Sequence, residues 1–187
     1  VAKAMGVDRV ILNTDSEEYC RIGEQFGAEC PFIRPPELCH NRVSPGLASY
    51  YATRKLLEEK YPVGYWIEMY PTSPFRSVAA MKRHISTLKK AGTCTVINRI
   101  PAPPNTVYFQ GETLAPASLD YAGELCFYKA LGTFLGSAID ASNIYWRHYE
   151  AVTDPFELID IDTEADWQLA EKIVVSRLYD FGIDISC

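Results

Sequence analysis

The sequence predicts an α/β fold, a single domain with a largely parallel sheet and helices on both faces. Three observations predict it. Short apolar runs rich in Val, Ile and Leu alternate with stretches whose apolar residues recur at helical spacing, giving a βαβα rhythm. The length, 187 residues with 48% of them hydrophobic, suits one domain with a sizeable core. No internal repeat or low-complexity linker divides it.

Each element has a local reason. Arg9 to Thr14 reads as a buried strand. Glu17 and Glu18 then open a helix, where acidic groups favour the positive end of the helix dipole. Tyr19, Ile22 and Phe26 make its expected inner stripe, and Gly27 ends it. A short strand is expected at Glu29 to Ile33, followed by a polar loop through Arg42. The next helix is announced by Ser44 as N-cap and Pro45 at its first position, with Leu47, Tyr50, Tyr51 and Leu57 inward. A strand at Tyr65 to Met69, a helix from Val78 to about Lys90 with Met81, Ile85 and Leu88 inward, and a strand at Thr93 to Asn98 continue the alternation. A further strand is expected at Leu125 to Tyr128. In such sheets ligands bind at the carboxyl ends of the strands, where Asp15, Arg34, Ser73, Asp160 and Asp162 all fall.

Composition excludes several classes. No apolar run reaches the 18 or more residues needed to cross a bilayer, and no basic region precedes an apolar one as in a secretory leader. A net charge of −6 without a Lys/Arg cluster argues against nucleic acid as the main partner. Cys20, Cys30, Cys39, Cys94, Cys126 and Cys187 are dispersed with no CxxC pair. They read as reduced thiols of a cytoplasmic protein, neither a zinc site nor a disulfide framework. His40, His84 and His148 are scattered without the spacing of a metal pair or a catalytic dyad, and no role is assigned to them.

The richest stretch is Leu158-Ile159-Asp160-Ile161-Asp162-Thr163-Glu164-Ala165-Asp166. If the apolar part is a strand, side-chain alternation sends Asp160 and Asp162 to one face and Ile159 and Ile161 to the other. Two hard oxygen ligands side by side suit Mg²⁺, which keeps several waters and takes one or two carboxylates plus substrate phosphates. The alternative is purely structural: Asp162 or Thr163 caps the next helix, with Asp166 completing a capping box.

Ile-Asp-Ile-Asp-Thr-Glu-Ala-Asp resembles the C-terminal motif of the CMP-sialic acid synthetase family of cytidylyltransferases. Pro71-Thr72-Ser73-Pro74-Phe75-Arg76, directly after Tyr65-Trp66-Ile67-Glu68-Met69-Tyr70, resembles a strand and turn of the same family. So do Asn13-Thr14-Asp15-Ser16-Glu17-Glu18 and Pro31-Phe32-Ile33-Arg34-Pro35-Pro36-Glu37-Leu38. The four segments follow the family's order and cover the chain to about Leu178. The resemblance implies a Rossmann-like domain of the nucleotide-diphospho-sugar transferase type. It implies a Mg²⁺-dependent reaction in which the anomeric hydroxyl of an acidic nine-carbon sugar attacks the α-phosphate of CTP and releases pyrophosphate. Asp160 and Asp162 would hold the metal, Arg34 would approach the cytosine, Ser44 would lie in the loop that reads the base edge, and Asp15 would belong to the nucleotide-binding set. Thr72, Ser73 and Arg76 would border the sugar pocket, Arg76 as partner of the sugar carboxylate. Each residue also has a structural reading: Arg34 as a loop arginine, Ser44 and Asp15 as helix caps, and Arg76 as a partner of Glu68 or of a helix end.

Departures from the family pattern shape further expectations. The chain begins Val1-Ala2-Lys3-Ala4-Met5-Gly6, read as lying inside the helix after the family's phosphate-binding loop, so the first strand and that loop are expected to be missing. Tyr70 stands where the family has a glutamine, which shifts the expected sugar preference toward less polar substituents. Ala122-Gly123 replaces an asparagine-glycine pair. The segment around 99–124 reads as a short dimerisation arm, and a homodimer or higher oligomer is expected. The competing reading is a non-catalytic nucleotide-binding or assembly module of the same fold.

Overall fold

A computed structural model describes residues 1–40, 43, 45–101, 107–110, 113–116, 118–119, 125–140 and 148–184. In chain order the elements are α1 (Glu17–Gln25), α2 (Pro45–Glu58), β1 (Tyr65–Glu68), α3 (Val78–Ala91), β2 (Thr93–Pro101), β3 (Val107–Gln110), β4 (Thr113–Pro116), β5 (Ser118–Leu119), β6 (Leu125–Ala138), β7 (Tyr149–Val152) and α4 (Glu164–Val175). Short 3-10 turns occupy Ala2–Met5 and Pro36–Leu38.

The architecture is mixed α/β, and its sheet corrects the expectation of a largely parallel one. Strand order is β1-β6-β2-β7, with β5 also on β6. β6 runs antiparallel to β1, β2 and β5, and β2 and β7 are the parallel pair among the described strands of this sheet. The cause lies between β2 and β6. A strand joined to its neighbour without a crossover helix returns antiparallel, and the described part of this connection is a hairpin, β3 against β4. β6 is also much longer than the four residues expected at Leu125 to Tyr128. It continues to Ala138 and forms the centre of the sheet.

The two N-terminal strands are corrected as well. Arg9–Thr14 and Glu29–Ile33 run side by side but make a single parallel bridge, Ile11 to Glu29. The Leu12 N–H donates to the Glu29 carbonyl at 2.8 Å, and the Glu29 N–H donates to the Val10 carbonyl at 2.7 Å. This alignment carries Cys30 to Cys20 on α1, and the two form a disulfide with Cα atoms 5.6 Å apart. Six free thiols were expected from their dispersal in sequence, but dispersal does not report which helix lies against which extended segment. Cys39 and Cys94 are free.

Local signals place the helices well. Ser16 caps α1 by accepting the Tyr19 N–H, Ser77 caps α3 by accepting the Ala80 N–H, and Gly92 closes α3 at φ +75°. Met81 and Leu88 of α3 are fully buried beneath the sheet with Phe134, Val96 and Leu131, and Ile85 packs against them. The inner face expected for α1 is reversed: Tyr19, Ile22 and Phe26 are 60%, 45% and 81% exposed, while Cys20 is buried. On α2, Leu47, Tyr50 and Leu57 are exposed and Leu56 turns inward. Periodicity identifies an apolar stripe, but burial needs a layer to cover it, and no described element covers these two stripes.

A second core lies beyond the sheet. Phe75, Ala170, Ile173 and Phe181 are its buried members, with Phe156, Ile159, Ile161, Val174 and Tyr179 packed on them. Phe75 stacks on Phe181 at 5.9 Å and meets Tyr179 edge-on at 5.5 Å. This cluster draws the turn after β1 and the segment before α4 into one place.

Candidate active site

Two segments some ninety residues apart in sequence are joined by one backbone bond: the Ile161 N–H donates to the Thr72 carbonyl at 2.7 Å. Ile159 and Ile161 turn into the second core. Asp160 and Asp162 alternate away from it, as period-two geometry requires. The segment is extended yet belongs to no sheet ladder, which corrects the reading of it as a strand; packing of its isoleucines on Phe75 and α4 holds it straight instead.

The two carboxylates differ in surroundings. Asp160 is mostly covered, 25% exposed, and its Oδ2 accepts from Lys129 Nζ of β6 at 3.0 Å. Asp162 is exposed, but its backbone is fixed: its N–H and that of Thr163 donate to Asp166 Oδ2, at 3.2 and 2.9 Å. The Thr163 hydroxyl donates to the same oxygen at 2.7 Å and accepts the Asp166 N–H, a complete capping box at the start of α4. The Thr163 hydroxyl and backbone hold the Asp166 carboxyl below its ordinary range. Both sequence readings of this stretch are therefore physically compatible: Thr163 and Asp166 cap the helix, and Asp160 and Asp162 remain as side-chain oxygen donors. That donor set, hard and anionic, fits the ligand preference of Mg²⁺.

The Pro71–Pro74 turn is built around Arg76. Ser73 N–H donates to the Tyr70 carbonyl at 3.2 Å to close the turn. Arg76, 6% exposed, donates from Nη1 to the Thr133 carbonyl at 3.3 Å and from Nη2 to the carbonyls of Tyr70 and Ser73. Burial lowers its pKa to about 10, with Tyr179 acting in the opposite direction. The expected exposed partner for a sugar carboxylate is thus, in this structure, a buried clamp on backbone carbonyls. Pairing with Glu68 or a helix end does not occur either. Thr72 is exposed beside it, and Ser73 is buried with its hydroxyl unpaired among the described residues.

Tyr70 packs its ring on Gly132 of β6, where a Cβ would lie 2.6 Å from the Tyr70 Cβ, so only glycine fits. The Tyr70 hydroxyl donates to Glu68 Oε2 at 3.1 Å, and the Ser49 hydroxyl of α2 donates to Glu68 Oε1. Burial and the adjacent Glu68 push the Tyr70 phenol up to about 12. Burial also raises the Glu68 carboxyl.

The residues expected at a nucleotide base form a separate group. Arg34 Nη2 lies 3.5 Å from Asp15 Oδ1, and Nη1 donates to the Asn13 carbonyl at 3.3 Å. Asn13 in turn donates to the Ala48 carbonyl of α2 at 3.0 Å, tying this loop to that helix. The sequence reading treated Arg34 and Asp15 independently, and the structure pairs them. Ser44 lies outside the described residues, as do Ala122-Gly123. No hydrogen bond or ion pair among the described residues joins Arg34 and Asp15 to Asp160. Lys129 escaped the sequence reading. Its only signal there was a single charge inside the apolar run Leu125 to Leu131, apart from Glu124 just before it.

No protein-family model matches the chain. Over 89% of its length it is 24% identical to the CMP-N,N'-diacetyllegionaminic acid synthase of Legionella pneumophila subsp. pneumophila, spanning 78% of that protein. Over the same share it is 27% identical to the N-acylneuraminate cytidylyltransferase of Escherichia coli O18:K1:H7, spanning 42% of that protein's length. The chain resembles the CMP-sialic acid synthetase family by similarity over most of its length as well as by its motifs.

Proposed function

We propose that the chain is a Rossmann-like, Mg²⁺-dependent cytidylyltransferase that transfers CMP from CTP to the anomeric hydroxyl of a sialic-acid-like nine-carbon sugar. The observation that carries this reading is the Ile161 to Thr72 backbone bond, which ties the segment bearing Asp160 and Asp162 to the Pro71–Pro74 turn. Asp160 and Asp162 are the metal-holding residues in this reading, and the cation supplies charge neutralisation at the phosphates undergoing transfer. On the sugar side, Thr72 is the exposed residue of the turn, Ser73 lies buried beneath it, Arg76 fixes their backbone, and Tyr70 supplies an aromatic wall. Arg34 and Asp15 form the nucleotide side. Arg34 is held in place by Asp15 and the Asn13 carbonyl, so little side-chain freedom is lost on meeting a base.

Pyrophosphate release from CTP with Mg²⁺ and a panel of nonulosonic acids tests the proposal. Release is expected from the chain as given and a loss of at least a hundredfold in Asp160→Asn/Asp162→Asn. Equal release from the double variant would overturn the metal assignment, and no release from the parent chain would overturn the activity.

A second reading, the non-catalytic module, is favoured by Lys129. Its ammonium already neutralises Asp160, as a structural ion pair would. Under that reading the parent chain releases no pyrophosphate with any sugar.

The exposed stripe of Tyr19, Ile22 and Phe26 on α1 supports the proposal of a homodimer. Light scattering is expected to give twice the 21.0 kDa chain mass. A monomer mass at micromolar concentration would remove the dimer from the proposal.

A further inference from the structure

The N-terminal ends of β2 and β7 carry a group that the proposed reaction does not use. His84 of α3, Cys94 of β2 and Glu150 of β7 bring one nitrogen, one sulfur and one carboxylate oxygen within 4.8 Å of one another. We propose that these three residues form a binding site for a single divalent transition metal of the zinc class.

The geometry is that of a prepared site. The three donors come from three different elements, so folding, not local sequence, assembles them. His84 and Cys94 are 1% and 0% exposed, so their rotamers are held by packing. The His84 ring meets this spot through one nitrogen: Nδ1 lies 2.6 Å from Glu150 Oε2, while Nε2 is buried with no partner among the described residues. Cys94 Sγ lies 3.9 Å from Glu150 Oε1. Thr87, one turn beyond His84 on α3, lies close enough to the Glu150 carboxylate to favour its charged form, the kind of support that suits a metal ligand. Glu150 is the one donor reached by solvent, with its side chain 19% exposed. That leaves a side from which an ion can enter and a water can complete a tetrahedron.

Donor chemistry selects the metal. Thiolate, imidazole and carboxylate together suit zinc or cobalt and disfavour Mg²⁺, which wants oxygen alone. Ligand bonds of about 2.0–2.3 Å in a tetrahedron hold N and O roughly 3.4 Å apart, so Glu150 needs to withdraw by less than about 1 Å from its metal-free contact. On binding, the Cys94 thiol proton leaves to solvent, the imidazole carries its one proton on Nε2, and Glu150 binds as the carboxylate. Arg83, whose Nε lies 3.8 Å from Glu150, is a 63% exposed side chain free to swing outward. The Mg²⁺ site proposed above draws on the opposite, C-terminal side of β7, so the two sites are independent.

Co²⁺ titration of the metal-stripped full chain, without added thiol reductant, tests this site. One equivalent of Co²⁺ is expected to give tetrahedral visible bands and a thiolate-to-cobalt charge-transfer band, both abolished by one equivalent of Zn²⁺. Cys94→Ser is expected to lose the charge-transfer band, and Glu150→Gln, at the solvent-facing position, to weaken cobalt binding at least tenfold with an unchanged far-ultraviolet circular dichroism spectrum. Absence of these bands at tenfold excess cobalt overturns the proposal. So does a charge-transfer band that survives Cys94→Ser, because the ion would then sit on another thiol.

Discussion

Glu68 illustrates how one side chain can be well bonded and still costly. It accepts from the hydroxyls of Ser49 and Tyr70, yet partial burial raises its carboxyl above the ordinary 4.5, with the Tyr70 bond only partly offsetting this. The folded chain therefore binds this proton more tightly than the unfolded chain does. Linkage gives the sign: the charged form costs nothing below the unfolded value near 4.5, and the penalty grows as pH rises through the higher folded value, then levels off. Glu68→Gln removes the titration while keeping an oxygen acceptor. Its melting temperature, compared with the parent chain from pH 4 to pH 8, is expected to gain on the parent as pH rises through the folded value of Glu68 and then to hold a constant lead. A gap independent of pH would show that Glu68 titrates alike in both states. A residue-level reading of sequence had no access to this, because Ser49 and Glu68 meet only when α2 lies against β1.

At the scale of elements, local chemistry was the most legible part. Glu17, Pro45 and Val78 as first helical residues, Gly27 as a stop and Thr163 as a cap rest on side-chain and backbone effects that act within four residues, and these positions agree with the structure to within a residue or two. The sheet was not legible in the same way. Apolar runs identify strands, but direction and partner depend on what connects them, and the described part of the route from β2 to β6 is a hairpin. The capping box of α4 gives a direct test of element-level energetics. Thr163→Ala removes the acceptor for Asp166 N–H and a donor to its carboxylate, and is expected to cost about 1 kcal/mol, or roughly 2–4 °C in melting temperature for a chain of this size. Thr163→Ser keeps the hydroxyl and is expected to retain most of that. Equal losses in the two variants would mean that the threonine methyl, not the cap, supplies the stability.

At the scale of the whole molecule, the candidate site exists because a second core outside the sheet pins two remote segments together. Asp160 and Asp162 were legible as a pair, since alternation needs only an extended backbone. Their placement beside Thr72 was legible only through resemblance, because the contact that makes it runs through Phe75, Ile159 and Ile161. Phe75 sits at the junction, 1% exposed, following the turn in sequence and packing on Phe156, Tyr179 and Phe181 in space. Truncation to alanine would cost about 3–5 kcal/mol, a large share of a typical domain's stability, and would blur local with global loss. Phe75→Leu keeps an apolar side chain and is expected to cost about 1–2 kcal/mol. If the second core is what holds the carboxylates at the turn, hydrogen exchange of the Ile161 amide speeds up in Phe75→Leu while the amides of β2, paired on both sides and packed in the first core, keep their protection. Equal acceleration at Ile161 and throughout β2 would mean that the two cores open as one unit. The position of Asp160 and Asp162 would then be a property of the whole fold and not of the Phe75 cluster.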